Sequence, residues 1–447
     1  MDTPICDFVK EYAQTNTLRL HMPGHKGAKF LGIEHLDITE IQGADSLYEA
    51  SDVIAKSEAN ASKLFGCKTF YSTEGSSQCV RAMLYLASLY AKKQGRRPLI
   101  AAGRNAHKAF LTAVALLDVD VCWLYQSKNA SYLSCNLTPQ EVEEYLKNAT
   151  EKPTAVYLTS PDYLGIILDL RAIAEICHRY DVLLIVDNAH GAYLKFMQES
   201  MHPIDLGADI CCDSAHKTLP VLTGGAYLHI SDNMNVLLGK QVKNALALFG
   251  STSPSYLILQ SLDAANKYLT AYPACLKELI LQVDSLKEEL KKRGFLLYGN
   301  EPLKLTVYTK PYGYMGEQMA ELLRKKQIEP EFADSDHLVL MLSAELEEKA
   351  LLRIEEAFSQ ILPQAPILTQ APAFKEAKKV LNIREAMLAC SEVLPIEQCE
   401  GRILAMPTVA CPPAVPILVC GEKIDQHAIK CFKYYGITHC AVCLDKT

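Results

Sequence analysis

Along this chain, short and almost wholly apolar runs alternate with segments whose apolar residues recur at helical spacing. PLIAAG, DVCWLY, TAVYLTS, VLLIVDNAH, ADICCDSAH and GGAYLHI read as short buried strands, and helical patterns such as LRAIAEICHRY lie between several of them. Buried strands separated by helices predict an α/β fold with a largely parallel sheet covered on both faces. In such sheets ligand groups gather at the carboxyl ends of the strands. Upstream, the spacing predicts a helix from about Asp52 to Leu64, ending at Phe65-Gly66. It then predicts the β-type run KTFYST and a helix through QCVRAMLYLASLYAKK.

After Ser253-Pro254 a long helical stretch is predicted, from about Ser255 to Arg293, of a length that suits a connector between domains. Beyond it, KLTVYTK, a helix near Gly316 to Lys326, HLVLMLS and a helix near Leu346 to Ile361 resemble a small α/β domain. ILPQAPILTQAPAF reads as a linker. The expected organisation is an N-terminal segment 1–45, a large domain 46–290 and a small C-terminal domain 291–447 that carries a proline-rich closing block.

Composition narrows the partners. About half of the 447 residues are apolar and the net charge is −7, so neither nucleic acid nor an anionic membrane is expected. The first residues, MDTPICDFVKEYAQ, contain acids and no apolar core, so no export signal is expected and the chain is placed in the cytoplasm. Its sixteen cysteines are scattered, which points to reduced thiols rather than a disulfide framework. Cys440 and Cys443 form a C-x-x-C beside His439, but one pair without a second is weak for zinc, and no metal is expected.

Three segments carry chemistry. In Asp213-Ser214-Ala215-His216-Lys217-Thr218 a lysine follows an apolar strand; a desolvated lysine forms imines with a carbonyl cofactor, and a plain loop lysine is the alternative. Asp187 ends the apolar strand of VLLIVDNAHGAY, where a carboxylate needs a cationic partner such as a protonated pyridine nitrogen, unless it caps the next turn. Glu74-Gly75-Ser76-Ser77 opens a helix, and N–H groups with two hydroxyls there suit a phosphate, although Ser and Gly are also ordinary N-cap residues. The order phosphate cradle, carboxylate, lysine is more specific than any one motif.

These segments, together with HMPGHKG (21–27), DITEIQGADSL (37–47), RNAHKAF (104–110), TSPDYLG (159–165), STSPSY (251–256) and CPPAVPILVCGE (411–422), resemble the ornithine/lysine/arginine decarboxylases. The resemblance spans nearly the whole chain. It implies the aspartate-aminotransferase-like fold of pyridoxal-phosphate (PLP) enzymes and, from the length, the short form without the extra N-terminal domain. It further implies that Lys217 carries the cofactor as a Schiff base, that Asp187 pairs with the pyridine nitrogen and that His107 stacks on the ring. Gly75, Ser76, Ser77, Ser214 and His216 are then the phosphate contacts. Ser251 or Thr252 reaches the phosphate of a neighbouring subunit, so a homodimer with shared sites is implied. His190 stands near the cofactor or packs in the core, and the histidines of HMPGHK line the substrate entrance or fix a Pro-Gly loop.

The chain departs from the family's usual pattern at four places. Asn188 stands where Glu usually follows the strand-end Asp, Gly224 follows Thr223 where Gln is usual, Glu74 begins the phosphate turn, and Ala414 replaces a glycine in the closing block. The implied reaction is decarboxylation of a basic amino acid, with arginine to agmatine first, on the way to polyamines, and lysine or ornithine behind it. Glu329, Glu331 and Glu422 are candidates for the cationic end of the substrate, or are solvated carboxylates. Another PLP reaction (transamination or β-elimination), a non-catalytic PLP-binding relative and an α/β protein for some other phosphate ligand remain open at this point.

Overall fold

In the computed structural model, which describes residues 1–127, 132–407 and 414–444, the chain divides into two compact units. The first comprises Met1–Pro98, Thr154–Leu158 and Leu170–Leu276; the second comprises Leu99–Pro153, Thr159–Asp169 and Lys277–Thr447.

Seven strands make a mostly parallel sheet: β1 (Lys68–Ser72), β2 (Leu99–Gly103), β3 (Asp120–Leu124), β4 (Ala155–Thr159), β5 (Leu183–Asp187), β6 (Ile210–Asp213) and β7 (Ala226–Ile230). In the first unit the order is β1-β7-β6-β5-β4. Strands β5 and β6 run parallel, whereas β7 is antiparallel to both β1 and β6. Every residue of β5 and β6 is buried, as expected for strands covered on both faces. In the second unit β2 and β3 pair in parallel.

Helix α1 (Pro4–Gln14) and helix α2 (Val53–Phe65) lie in the first unit, followed by α3 (Gly75–Lys93), whose first turn holds Ser76 and Ser77. Asp45, from the DITEIQGADSL block, is buried and accepts the backbone N–H groups of Ser51, Asp52, Ile54 and Ala55. It thereby satisfies the orphan donors at the start of α2 and complements its dipole. Gly66 ends α2 with φ +68°.

The stretch 255–293, read as one helix, is two: Tyr256–Leu269 and Tyr272–Lys292. Pro273 falls in the first turn of the second helix. It lacks an N–H and disfavours helical geometry in the residue before it, so a fresh start is favoured over continuation.

The second unit also contains a four-stranded antiparallel sheet in the order β10-β11-β9-β8, from β8 (Leu296–Tyr298), β9 (Lys304–Tyr308), β10 (Phe332–Ala333) and β11 (His337–Met341). A hairpin of β12 (Ser391–Pro395) and β13 (His439–Cys443) completes it. Cys440 and Cys443, three apart on β13, point to opposite faces of that hairpin. The described cysteines are free thiols.

Of the proline-rich closing block, Cys411, Pro412 and Pro413 lie outside the described residues. Ala414 has φ +56°, and its carbonyl accepts the N–H of Lys108 at 3.0 Å. A Cβ is unfavourable in that left-handed region, so the glycine usual in the family is the better residue there. Ala414→Gly is expected to stabilise the protein by about 1 kcal/mol, read as a raised urea midpoint.

Candidate active site

The site is built where β5 and β6 end. Asp187 is the last residue of β5 and is buried. Its Oδ2 accepts the hydroxyl of Tyr157, from the adjacent strand β4, at 3.1 Å, and its Oδ1 accepts the N–H of Ala189 at 3.2 Å. Burial pushes its carboxyl above the usual range, while the Lys217 ammonium pulls the other way. A buried carboxylate of this kind is suited to a further cationic partner.

Strand β6 ends at Asp213, and one helical turn, Ala215–Thr218, follows. That turn carries Lys217 back toward the loop after β5, where its Nζ lies 3.0 Å from His190 Nε2. Lys217, Asp187 and His190 are thus brought together by the parallel pairing of β5 with β6. The same turn places Ser214, whose hydroxyl donates to Ser76 at 2.8 Å. Residues 138 apart in sequence so join the start of α3 to the lysine turn.

His216 is held differently. Its Nδ1 lies 2.9 Å from the carbonyl of Gly225, and burial pushes its pKa down, so the neutral ring carries its proton on Nδ1 toward that acceptor. Gly224 has φ +101°, its carbonyl accepts the N–H of Gly75 at 2.7 Å, and a Cβ on it would stand 2.9 Å from the carbonyl oxygen of Thr73. Glycine in place of the usual glutamine is therefore demanded by close approach to the phosphate turn.

Glu74 does not intrude on this turn. It is exposed, and its Oε1 accepts the N–H of Ser251 at 3.3 Å. Ser251 and Thr252 are themselves exposed. His107, in the second unit, caps the helix Lys108–Leu117, with Nδ1 accepting the N–H of Ala109 at 3.1 Å.

Four residues that the motifs did not single out complete the first unit's site: Tyr157, Asp213, His202 and His229. The side chains of Asp213, His202 and His229 are wholly buried. Asp213 Oδ2 is 3.1 Å from His202 Nε2 and 3.0 Å from His229 Nε2, and its Oδ1 accepts the amide of Asn188 at 2.7 Å. Burial opposes ionisation of Asp213, but the two imidazoles outweigh it and hold the carboxyl well below its usual range. This explains Asn188: a glutamate there would set a second carboxylate against Asp213, whereas the amide donates to it.

These residues fit pyridoxal phosphate by the chemistry of their donor set. Lys217 would hold the aldehyde carbon, Asp187 the pyridine nitrogen, and Ser76, Ser77 and Ser214 with the N-terminus of α3 the phosphate.

The fold and donor set define a class, that of PLP-type α/β enzymes. Solved structures agree on the fold: a lysine decarboxylase from Francisella novicida, LdcF, superposes over 99% of this chain and 81% of its own with a TM-score of 0.80 at 17% identity. The constitutive lysine decarboxylase of E. coli gives 0.76 over 99% and 82% at 16% identity. Within that class, the profile "Orn/Lys/Arg decarboxylase, major domain" matches residues 3–297, and that of the family's C-terminal domain matches residues 364–440. The chain belongs to the Orn/Lys/Arg decarboxylase family, as its motifs implied. Among its relatives, an arginine decarboxylase of Bacillus subtilis is 28% identical over 96% of this chain and 92% of its own length. One of Halalkalibacterium halodurans is also 28% identical, over 95% and 91%.

Proposed function

We propose that the protein decarboxylates arginine to agmatine with pyridoxal phosphate bound at Lys217. The observation that carries this is the meeting of Lys217 Nζ, His190 and the buried Asp187 at the ends of two parallel strands, in a chain of this family. When bound, the cofactor supplies an electron sink for the bond that breaks.

The protein's own residues do the rest. Asp187, kept in place by Tyr157 and the N–H of Ala189, is the counter-charge for the pyridine nitrogen. Lys217 Nζ, 3.0 Å from His190 Nε2, can pass a proton to and from that ring, and so return one to the substrate's α-carbon after carbon dioxide leaves. Ser76 and Ser214, already in contact, fix the phosphate end. His107 is assigned the ring face. Arginine is favoured over lysine and ornithine because the nearly full-length relatives named above are arginine decarboxylases.

The active protein is proposed to be a cytoplasmic homodimer. Leu18, Leu20, Phe30 and Leu31 of the N-terminal segment are 78 to 85 % exposed, and a second copy would cover this apolar stretch. Among the described residues, no helix is long and apolar enough to cross a membrane.

The test is to incubate the holoenzyme separately with arginine, lysine and ornithine, measuring carbon dioxide and the amine formed. Agmatine and carbon dioxide in equal amounts, with arginine the fastest of the three, is the expected result. Transfer of the amino group to an added keto acid without carbon dioxide release would overturn it.

A further inference from the structure

Strand β6 is wholly buried, and its side chains divide between the two faces of the sheet. Cys211 and Asp213 face the histidine cluster: Cys211 Sγ lies 3.9 Å from His202 Nε2, beside the two Asp213 pairs. Cys212 points the other way. In the parallel pairing of β5 with β6 it is the direct partner of Asp187, and its thiol donates to Asp187 Oδ1 at 3.7 Å.

The Asp187 carboxylate is therefore held from both flanking strands. Tyr157 of β4 donates to Oδ2, and Cys212 of β6 shares Oδ1 with the N–H of Ala189. Asp187 is buried, and burial acts against its ionised form. Each donor on its oxygens acts the other way.

Two other roles for this thiol fail on the same geometry. A nucleophile or a metal ligand must be a thiolate, but burial pushes the Cys212 thiol well above its ordinary range. The Asp187 carboxylate and Cys79 of α3 push it in the same direction. The residue also has no exposed surface. What is left to it, besides filling space, is to donate as a neutral S–H.

We propose that Cys212 is a positioning residue for the cofactor's ring nitrogen: its thiol holds Oδ1 of Asp187 and so supports the negative charge that meets that nitrogen. This inference rests on the cofactor reading of the proposed function, and its test separates the two.

The experiment is titration of the full-length protein, freed of cofactor, with pyridoxal phosphate and with its carbocyclic analogue, in which C–H replaces the ring nitrogen. Both ligands carry the aldehyde for Lys217 and the phosphate for Ser76 and Ser214. Only the first brings a cation to Asp187. Everything the two complexes share cancels from the ratio of their dissociation constants, so the ratio reports on the ionised carboxylate.

The parent is expected to prefer pyridoxal phosphate. Cys212→Ala should narrow that preference by about fivefold, the order of one weak hydrogen bond to a charged group. Cys212→Ser restores a donor and should keep the preference within about twofold of the parent's. Cys212→Val, which fills the space and cannot donate, carries the same expectation as Cys212→Ala. Melting temperatures of the cofactor-free proteins control for folding, and a general loosening of the core would weaken both ligands alike.

A preference unchanged in Cys212→Ala and Cys212→Val would overturn the inference and leave the proposed function standing. So would one that Cys212→Ser loses as fully as they do. A parent that does not bind pyridoxal phosphate, or binds it no better than the analogue, would overturn the cofactor reading and this inference with it.

Discussion

Replacing Lys217 with alanine is expected to lower turnover by about four orders of magnitude or more, as removal of a covalent catalytic group does. The same change should remove the borohydride-sensitive absorbance of the holoenzyme. Lys217 is only half-buried and sits on a single helical turn, so its loss should leave the fold intact. What changes is the chemistry: His190 loses the amine 3.0 Å from its Nε2, and Asp187 loses the cation that offsets its burial. The measurements are product amine per enzyme, the absorbance spectrum before and after borohydride, and a thermal melt as the control for folding. Turnover retained at the parent level would remove Lys217 from the centre of the site.

The second large effect is expected on stability. Asp213→Asn should destabilise the protein by about 3–5 kcal/mol, because it leaves buried imidazoles without their carboxylate. Asp213 serves three partners at once, His202, His229 and the amide of Asn188, with its side chain wholly buried.

The effect should depend on pH with a definite sign. The carboxyl is held below its ordinary value of 3.8, so its contribution is fully present above that pH and is lost as pH falls through the depressed value. For His229 burial acts downward, yet the carboxylate outweighs it and holds the ring above its ordinary value of 6.5. Its contribution is therefore present below 6.5 and is lost as pH rises through the raised value. The gap between parent and variant should be widest between these limits and narrow in acid. Urea unfolding at a pH of about 5.5 and again near 3 would show it; equal midpoints for parent and variant at the higher pH would mean that the cluster holds no ion pair.

Much of this site was legible before the structure was. Strand-ending Asp187, the lysine just past the next apolar strand and the glycine-serine turn opening a helix are local signals, each readable from a few neighbouring residues. Their order along the chain made the combination specific, and the sheet's parallel pairing of β5 with β6 then does what the alternation of apolar runs predicted. His190 was readable as a candidate and no more, because whether a histidine three residues past a strand meets a lysine depends on how the next strand is registered.

Other features had no local signal. His202 and His229 lie 11 and 16 residues from Asp213, in a loop and in the antiparallel strand β7, and nothing in ADICCDSAH or GGAYLHI marks them as partners. Tyr157 reads as one more apolar strand residue, although its hydroxyl holds Asp187. The two-helix break at Thr270 and Ala271 was hidden because helical periodicity runs on across it.

The sequence by itself therefore determined the fold class and the family, and singled out the lysine proposed to carry the cofactor, since periodicity and short motifs are properties of neighbouring residues. Only the tertiary structure decided why Asn188 and Gly224 stand where the family usually has other residues. One answers a carboxylate 25 positions away, and the other a backbone that passes too close for a side chain. Such choices are made by contacts between distant segments, and contacts exist only once the chain has folded.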